Sequence, residues 1–535
     1  MTGRIPYTIL MKNTFCYLPE YVLYSHGAGD GRLRVETSEM KTRERKGRSM
    51  EGRNTVLENE SNAISENKCN TVPESGSNTV SENGHSTISK NGSNTISGGG
   101  YSTGSEGGRR IPGSICRILD TVKAVFADAP RIYEVFENCY TNALQSAVRP
   151  MEDGTAYVVT GDIPAMWLRD SAAQLRPYLI PAREDRELAD ILVAVSRRQF
   201  RYIRIDPYAN AFNQEANGNC WEKDETEMND WLWERKYEVD SLCYPLQLAY
   251  LIWKNTGRTD QFDETFRAGA RKILNVFRTE QHHEEQSPYR FIRRNTYYTD
   301  TLSREGKGAL VKSGVGMTWS GFRPSDDACT YGYLVPSNMF AVVVLGYLEE
   351  IAEQILQEDD LAREAAKLRS EIYEGIETSG ITRTEGFGDV YAYETDGYGQ
   401  FNLMDDANVP SLLSMEYLGY HGKNSQTAKN TRALILSEAN PYYYKGPKAA
   451  GIGSPHTPAG YIWHIALCMQ GLTADTLEEK RTMIDLAVAT NGGTLLMHEG
   501  FCADDDTKYT REWFSWANAM FSELVMDYCG YRVLR

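Results

Sequence analysis

The chain lacks the cysteine pairs that would mark a metal site or a disulfide framework. Its 10 cysteines are scattered singly, with no CxxC pair and no Cys/His spacing suited to zinc. Scattered thiols of this kind read as buried and reduced, which favours an intracellular setting. Basic charge is also short: the net charge of −16 argues against a nucleic acid or an anionic membrane as partner. No apolar run reaches the length of a membrane span; the richest, Met339 to Leu348, is interrupted and amphipathic. Residues Met1 to Tyr24 lack a basic start, an apolar block and a small-residue cleavage site, so no secretory signal is expected. Absent too are a phosphate loop, a dinucleotide fingerprint and a Gly-x-Ser-x-Gly elbow.

What is present divides into two parts. Residues 1–108 carry a basic run (Lys41, Arg43, Arg45, Lys46, Arg48) and then an eight-residue repeat starting at Asn54, Asn62, Asn70, Asn78, Ser86 and Asn94. Each unit holds one or two apolar residues among Asn, Ser, Glu and Gly, too few to offset the entropy of ordering the chain. This segment is expected to be a disordered tail, closed by a glycine-rich linker at Gly98–Gly100, Gly107 and Gly108. Two Asn-x-Ser sites, Asn59 and Asn91, fall here and read as chance matches.

From residue 109 onward helical periodicity dominates. Met339, Phe340, Val343, Val344, Tyr347, Leu348 and Ile351 form one stripe after Pro336 and Ser337. Leu242, Leu246 and Ala249 form another after Asp240 and Ser241, and Trp513 to Tyr528 a last one. Further helices are expected near 114–127, 187–200, 262–278, 360–375, 409–418, 426–437, 459–471 and 480–490. Such a series suits a bundle, a solenoid or a closed ring of hairpins, and periodicity alone does not choose.

Chemistry gathers in the loops that lead into these helices. The stretch Gly161-Asp162-Ile163-Pro164-Ala165-Met166-Trp167-Leu168-Arg169-Asp170-Ser171 sets an indole, a guanidinium and a carboxylate just before a helix expected to be capped by Asp170 or Ser171. Asp326 and Asp327 precede the helix at Pro336, and His498-Glu499 precede the last one. Read singly, each is an ordinary cap or ion pair. Brought together in a ring, they offer the paired carboxylates of glycoside hydrolysis, one as acid and one as base or nucleophile. The like charge of Asp327 beside Asp326 would help one of them keep a proton, whereas a helix N-terminus favours an ionised base such as Glu499. Trp221, Trp231, Trp233, Glu238 and Asp240 add residue types that stack on and bond sugars. Asp405-Asp406-Ala407-Asn408 lacks the spacing and glycine of a calcium loop, and His456 and His464 have no partner at metal spacing.

Five stretches read jointly resemble glycoside hydrolase family 125. They are Gly161 to Ser171, Tyr237-Glu238-Val239-Asp240-Ser241-Leu242-Cys243-Tyr244-Pro245, Phe322-Arg323-Pro324-Ser325-Asp326-Asp327-Ala328, Leu403 to Leu413, and Met497-His498-Glu499-Gly500-Phe501. The resemblance covers about residues 111–535 and implies an all-α (α/α)6 toroid in 109–535. It implies a metal-independent inverting exo-α-1,6-mannosidase, without cofactor or metal, acting on a mannose-containing oligosaccharide or glycan. No obligate protein partner is expected. The acid then falls to Asp326 or Asp327, with Asp326 preferred, and the base to Glu499, their carboxyls roughly 6.5–9.5 Å apart to admit a water. Arg169 and Asp170 match groups that hold mannose hydroxyls. Trp167, Trp221, Glu238, Asp240, Arg323, Asp405, Asp406, Asn408, His456 and His498 complete the expected substrate-binding set. Cys502, Ala503, Asp506 and His464 depart from the family pattern near the base. Two other classes would suit a similar ring: a sugar epimerase or isomerase, and a non-catalytic glycan-binding protein.

Overall fold

In the computed structural model, residues 111–535 are described; the repeats, the basic run and the linker lie outside them. The described helices run in chain order as outer and inner members of hairpins. Helix α1 (Gly113–Val125) leads in, and α2 (Pro130–Asn142) is outer to the short inner α3 (Leu168–Ala173). Then come α4 (Arg186–Ile205) with α5 (Val239–Thr256), and α6 (Glu264–Glu280), single turns α7 (His283–Gln286) and α8 (Ser303–Gly306), and α9 (Val335–Ile351). The series ends with α10 (Asp359–Ser379) and α11 (Met415–Leu418), α12 (Ser425–Ile435) and α13 (His464–Leu472), and α14 (Leu477–Ala489) and α15 (Ser515–Tyr528). Inner helices touch in turn from α3 to α5, α9 and α11, and again from α13 to α15 and back to α3. Outer helices pack on them: α4 on α5, α10 on α9, α14 on α13 and α15, α2 on α15. The architecture is the (α/α)6 toroid.

Burial explains the division. In α5 nearly every position from Val239 to Ile252 is buried, as suits a helix with neighbours on all sides. Outer α4 and α6 bury one face only, Leu188, Leu192 and Val195 in the first, Phe266, Ile273 and Phe277 in the second. Four outer helices start on side-chain caps: Asp185, Asp263, Asn424 and Thr476 each accept a backbone N–H of the first turn. None of the six inner helices has such a cap.

Three of the inner helices grow straight out of short strands. Met166–Trp167, Tyr333–Leu334 and Tyr461–Trp463 run into α3, α9 and α13, each paired in a three-stranded antiparallel sheet. These pieces were not visible in the sequence pattern, being only two or three residues long. They also correct the expected start of the first inner helix. Trp167, extended at φ −73° and ψ 139°, occupies the N-cap position, and Asp170 lies inside the first turn. The strand starts the helix three or four residues earlier than expected, so the Asp170 carboxyl is free for other partners. Helix α2 was missed altogether, and of 409–418 only Met415–Leu418 is helical.

The ring closes where the loop before α3 meets the loop before α15. Gly161 sits at φ +66°, and a Cβ there would drive into the Trp513 carbonyl. The Asp162 N–H bonds that same carbonyl at 3.3 Å, and the Arg511 guanidinium bonds the Asp162 carboxylate and the Thr160 carbonyl. Gly161→Ala is therefore expected to lower stability by about 2 kcal/mol or more, from left-handed strain plus the displaced carbonyl. A denaturant midpoint equal to wild type would show that the seam gives way freely.

Candidate active site

The N-terminal ends of the inner helices, and the loops feeding them, line one cavity of about 880 Å³. Trp167, Arg169 and Asp170 come from α3, Lys236 from the approach to α5, and Asp326 and Asp327 from the loop ahead of α9. Asn408 comes from the segment before α11, His456 and Trp463 from before α13, and Glu499, Arg511, Phe514 and Trp516 from the approach to and start of α15. Residues more than 300 positions apart in the chain thus face one space.

Arg169 organises the floor. Its Nη1 donates to Glu238 Oε2 at 2.5 Å and to Asp240 Oδ2 at 3.1 Å, and its Nη2 to Asp326 Oδ1 at 3.1 Å. Asp170 stands 3.6 Å from its Nε, and the ring of Trp516 lies 5.8 Å from the guanidinium carbon. One buried cation among four carboxyls cannot keep all of them ionised. Burial raises Glu238 well above the usual range, and the neighbouring Asp326 charge adds to this. Burial also raises Asp170, to about 6, and raises Asp240, against the pull of Arg169. Asp326 goes the other way: burial opposes its charge, but Arg169, the Glu238 bond, Lys236 and His456 together hold it well below the ordinary carboxylate range. Glu238 and Asp326, both bonded to the Arg169 guanidinium, are thus pushed in opposite directions, Glu238 towards the neutral form and Asp326 towards the charged one.

Asp326 is also fixed through its backbone. It adopts φ +65°, a left-handed conformation that aspartate tolerates better than most residues. Its N–H bonds the Arg323 carbonyl at 2.9 Å, closing a tight loop in which the Arg323 N–H bonds the Asp327 carbonyl at 2.8 Å. Buried Lys236 donates to the Asp326 carbonyl at 2.7 Å and to Asp300 at 2.6 Å. Asn210 reaches Asp326 Oδ1 at 3.4 Å. The Asp326 side chain keeps 24% of its surface open to the cavity.

Asp327 is more enclosed. Its Oδ1 meets His456 Nδ1 at 3.0 Å, and its Oδ2 is buried without a partner. His456 is 39% exposed at the cavity. Burial works against its charge, but the bond to Asp327 and the carboxylates of Asp327, Glu499 and Asp326 push it up to about 9. Across the site, Glu499 is 11% exposed, with Arg511 Nη1 at 3.8 Å from its Oε1. The indole N–H groups of Trp167 and Trp516 are buried with no partner. Unsatisfied buried donors beside a polar cavity suit a ligand rich in hydroxyls.

The expected substrate-binding set divides in two. Trp167, Arg169, Asp170, Trp221, Asn408 and His456 line the cavity, as do Asp326, Asp327 and Glu499. Glu238, Asp240, Arg323, Asp405, Asp406 and His498 do not; the structure sets them behind its wall. Glu238 and Asp240 hold Arg169. Arg323 pairs with Glu394 at 2.6 Å, and Asp405 accepts the N–H groups of Leu412 and Leu413. Asp406 accepts from Ser325 at 3.0 Å and Asn408 at 3.3 Å. His498 turns outward to the Arg511 carbonyl at 2.9 Å and the Thr494 hydroxyl at 2.9 Å. Burial moves these carboxyls and imidazoles away from charge: Asp405 rises to about 8, while His464 falls to about 3 and His498 also falls. Sequence reasoning missed Asn210, Lys236 and Arg511 and placed Trp516 only in the apolar stripe of the last helix, although it lines the cavity. Arg511 could have been suspected from its place in the loop between Glu499 and the last helix.

A family model for metal-independent α-mannosidases, glycoside hydrolase family 125, matches residues 129–526. The chain belongs to this family. Among its relatives, the meiotically up-regulated gene 157 protein of Schizosaccharomyces pombe is 37% identical over 440 residues, covering 77% of this chain and 85% of that protein. A solved Streptococcus pneumoniae structure, of a metal-independent α-mannosidase in a non-productive complex with α-1,6-mannobiose, is 51% identical. It is described in connection with the processing of N-linked glycans, and covers 78% of this chain and 99% of its own at a TM-score of 0.77. This family 125 glycoside hydrolase is thus an α-mannosidase.

Two outcomes follow for this mannosidase. Arg169→Ala leaves buried carboxyls without their cation and should cost about 3–5 kcal/mol at pH 7. The loss should shrink as pH falls, because the stranded carboxyls, their folded-state pKa now raised, gain stability by taking up protons. Urea unfolding at pH 5 and pH 7 measures both. For His456, raised above its unfolded value, the contribution is full below about pH 6.5 and fades as pH rises through about 9. His456→Gln should therefore be destabilised relative to wild type at pH 6 and approach it at pH 9.5; a gap that widens with pH would contradict the pairing with Asp327.

Proposed function

We propose that the chain is an inverting exo-α-1,6-mannosidase, with Asp326 as the general acid and Glu499 as the general base. The observation that carries this reading is that both carboxyls line one cavity whose floor is formed by Arg169 and Asp170. The linkage follows the Streptococcus pneumoniae relative, which holds α-1,6-mannobiose.

The terminal mannose enters towards Trp167, Arg169, Asp170 and Trp516, with its glycosidic oxygen at Asp326. An acid must deliver a proton, and four carboxyls crowded around the single Arg169 cation favour keeping one in the cluster. As the glycosidic C–O bond lengthens, the leaving oxygen gains negative charge and draws the proton through Asp326, while Glu238 supplies Asp326 from behind. Arg169 remains bonded to both carboxyls throughout, so the relay needs little rearrangement. On the opposite face, Glu499 takes a proton from water as that water attacks the anomeric carbon. The product is free mannose of inverted configuration, and the leaving glycan departs as an alcohol. Asp327 favours Asp326 over itself in the acid role. It is committed to His456, and the resulting imidazolium faces the cavity beside the reacting centre.

Asp326→Asn and Glu499→Gln should each fold normally and lower kcat by about a thousandfold or more. Release of mannose from α-1,6-mannobiose, followed by NMR in the presence of EDTA, reads rate, linkage, anomeric outcome and metal independence at once. Retained configuration, or wild-type turnover by either variant, would overturn the assignment.

A further inference from the structure

The cavity has a deep end and a mouth, and the mouth is aromatic. At the deep end lie buried Arg169, Asp170 and Trp516; at the mouth stand Trp221, 52% exposed, and the neighbouring Tyr297 and Tyr298, 83% and 86% exposed. These two tyrosines are the most exposed of the large hydrophobic side chains among the described residues. Two adjacent rings held in water lose apolar burial unless something covers them.

The backbone beneath them is fastened at several points. Asp300 receives Lys236 at 2.6 Å and Arg293 at 2.9 Å on Oδ1, and the Thr296 hydroxyl on Oδ2 at 2.9 Å. The Arg293 N–H closes the loop onto the Thr301 hydroxyl at 2.9 Å. The Ala328 N–H bonds the Thr299 carbonyl at 2.6 Å, tying the loop to the segment that carries Asp326 and Asp327. Lys236 bonds Asp300 and the Asp326 carbonyl together. The tyrosines are thus presented on a braced support attached to the acid-bearing loop.

We propose that Tyr297 and Tyr298 form a stacking platform for the sugars on the leaving side of the scissile bond, beyond the residue joined directly to the terminal mannose. This rests on the mannosidase reading, which sends the non-reducing end into the floor and the rest of the glycan out through the mouth. The ligand is the stem of a mannose-containing oligosaccharide: the C–H faces of hexoses cover phenol rings, and the phenol hydroxyls can bond sugar hydroxyls. Continuity with the cavity selects a glycan stem over a protein partner. Because the loop is braced beforehand, stacking need not order it, so more of the contact energy goes into binding.

The test compares α-1,6-linked mannotetraose with α-1,6-mannobiose in wild type, Tyr297→Ala/Tyr298→Ala and Tyr297→Phe/Tyr298→Phe proteins. The ratio of kcat/KM for the long substrate to that for the short one should fall about five- to tenfold in the alanine variant. The phenylalanine variant should keep most of the ratio, because the rings remain. The same pair of sugars, titrated by calorimetry into Glu499→Gln with and without the tyrosine substitutions, should show the loss of affinity concentrated on the tetraose. An unchanged ratio, or equal losses on both sugars, overturns the platform. Failure of the wild type to cleave either sugar would instead overturn the mannosidase reading, and the titrations would still decide the platform.

Discussion

Charge at the floor of the ring is the constraint on which the site depends. Arg169 is buried, and Asp170, Glu238, Asp240 and Asp326 surround it from α3, α5 and the loop ahead of α9. A single guanidinium can offer its fork to two or three carboxylates, so the others must give up charge or share protons. The direction in which each moves follows from placement: Asp326 has a second cation, Lys236, in reach, while Glu238 is sealed behind it. The result is a carboxyl at the cavity surface held towards its charged form, backed by one pushed towards its neutral form. In the proposed mechanism, where an acid needs both access and a proton, two side chains divide those requirements.

The toroid supplies the frame for that division. Inner helices begin without side-chain caps, and those starting at α3, α9 and α13 emerge from strands that aim the preceding residues inward. A ring of such starts concentrates N-terminal dipoles on one mouth, which favours carboxylates there. Outer helices carry the side-chain caps and the one-sided apolar faces, and so stabilise the ring without entering its chemistry.

Much of this was legible in the amino-acid order. Apolar residues at helical spacing located α5, α9 and α15, although these inner helices are buried on most sides and so are less one-sided than outer α4 and α6. The family motifs pointed to Asp326, Glu499, Arg169 and Asp170 only when read jointly, since acidic residues before a helix are ordinary caps when taken singly. Helix α2 was overlooked although Ile132, Val135, Phe136, Cys139 and Tyr140 stand at helical spacing after Pro130. Two-residue strands carry too little periodicity to register. The distinction between touching sugar and holding what touches sugar was also invisible: Glu238, Arg323, Asp405 and His498 have the chemistry of ligands, and only their partners reveal them as supports. Lys236 and Asn210 were overlooked for the converse reason, since their importance comes from the backbone carbonyl of Asp326 and the carboxyls around it.

The clasp between Gly161 and Trp513 joins the start of the ring to its finish, and Arg511 bridges it towards Glu499. Arg169 and Asp170 stand on one bank of that clasp, Glu499 and Trp516 on the other. Whatever fills the pocket rests on both banks and acts as a keystone, so occupancy would resist opening of the entire circle and melting would be delayed by the guest as a global event.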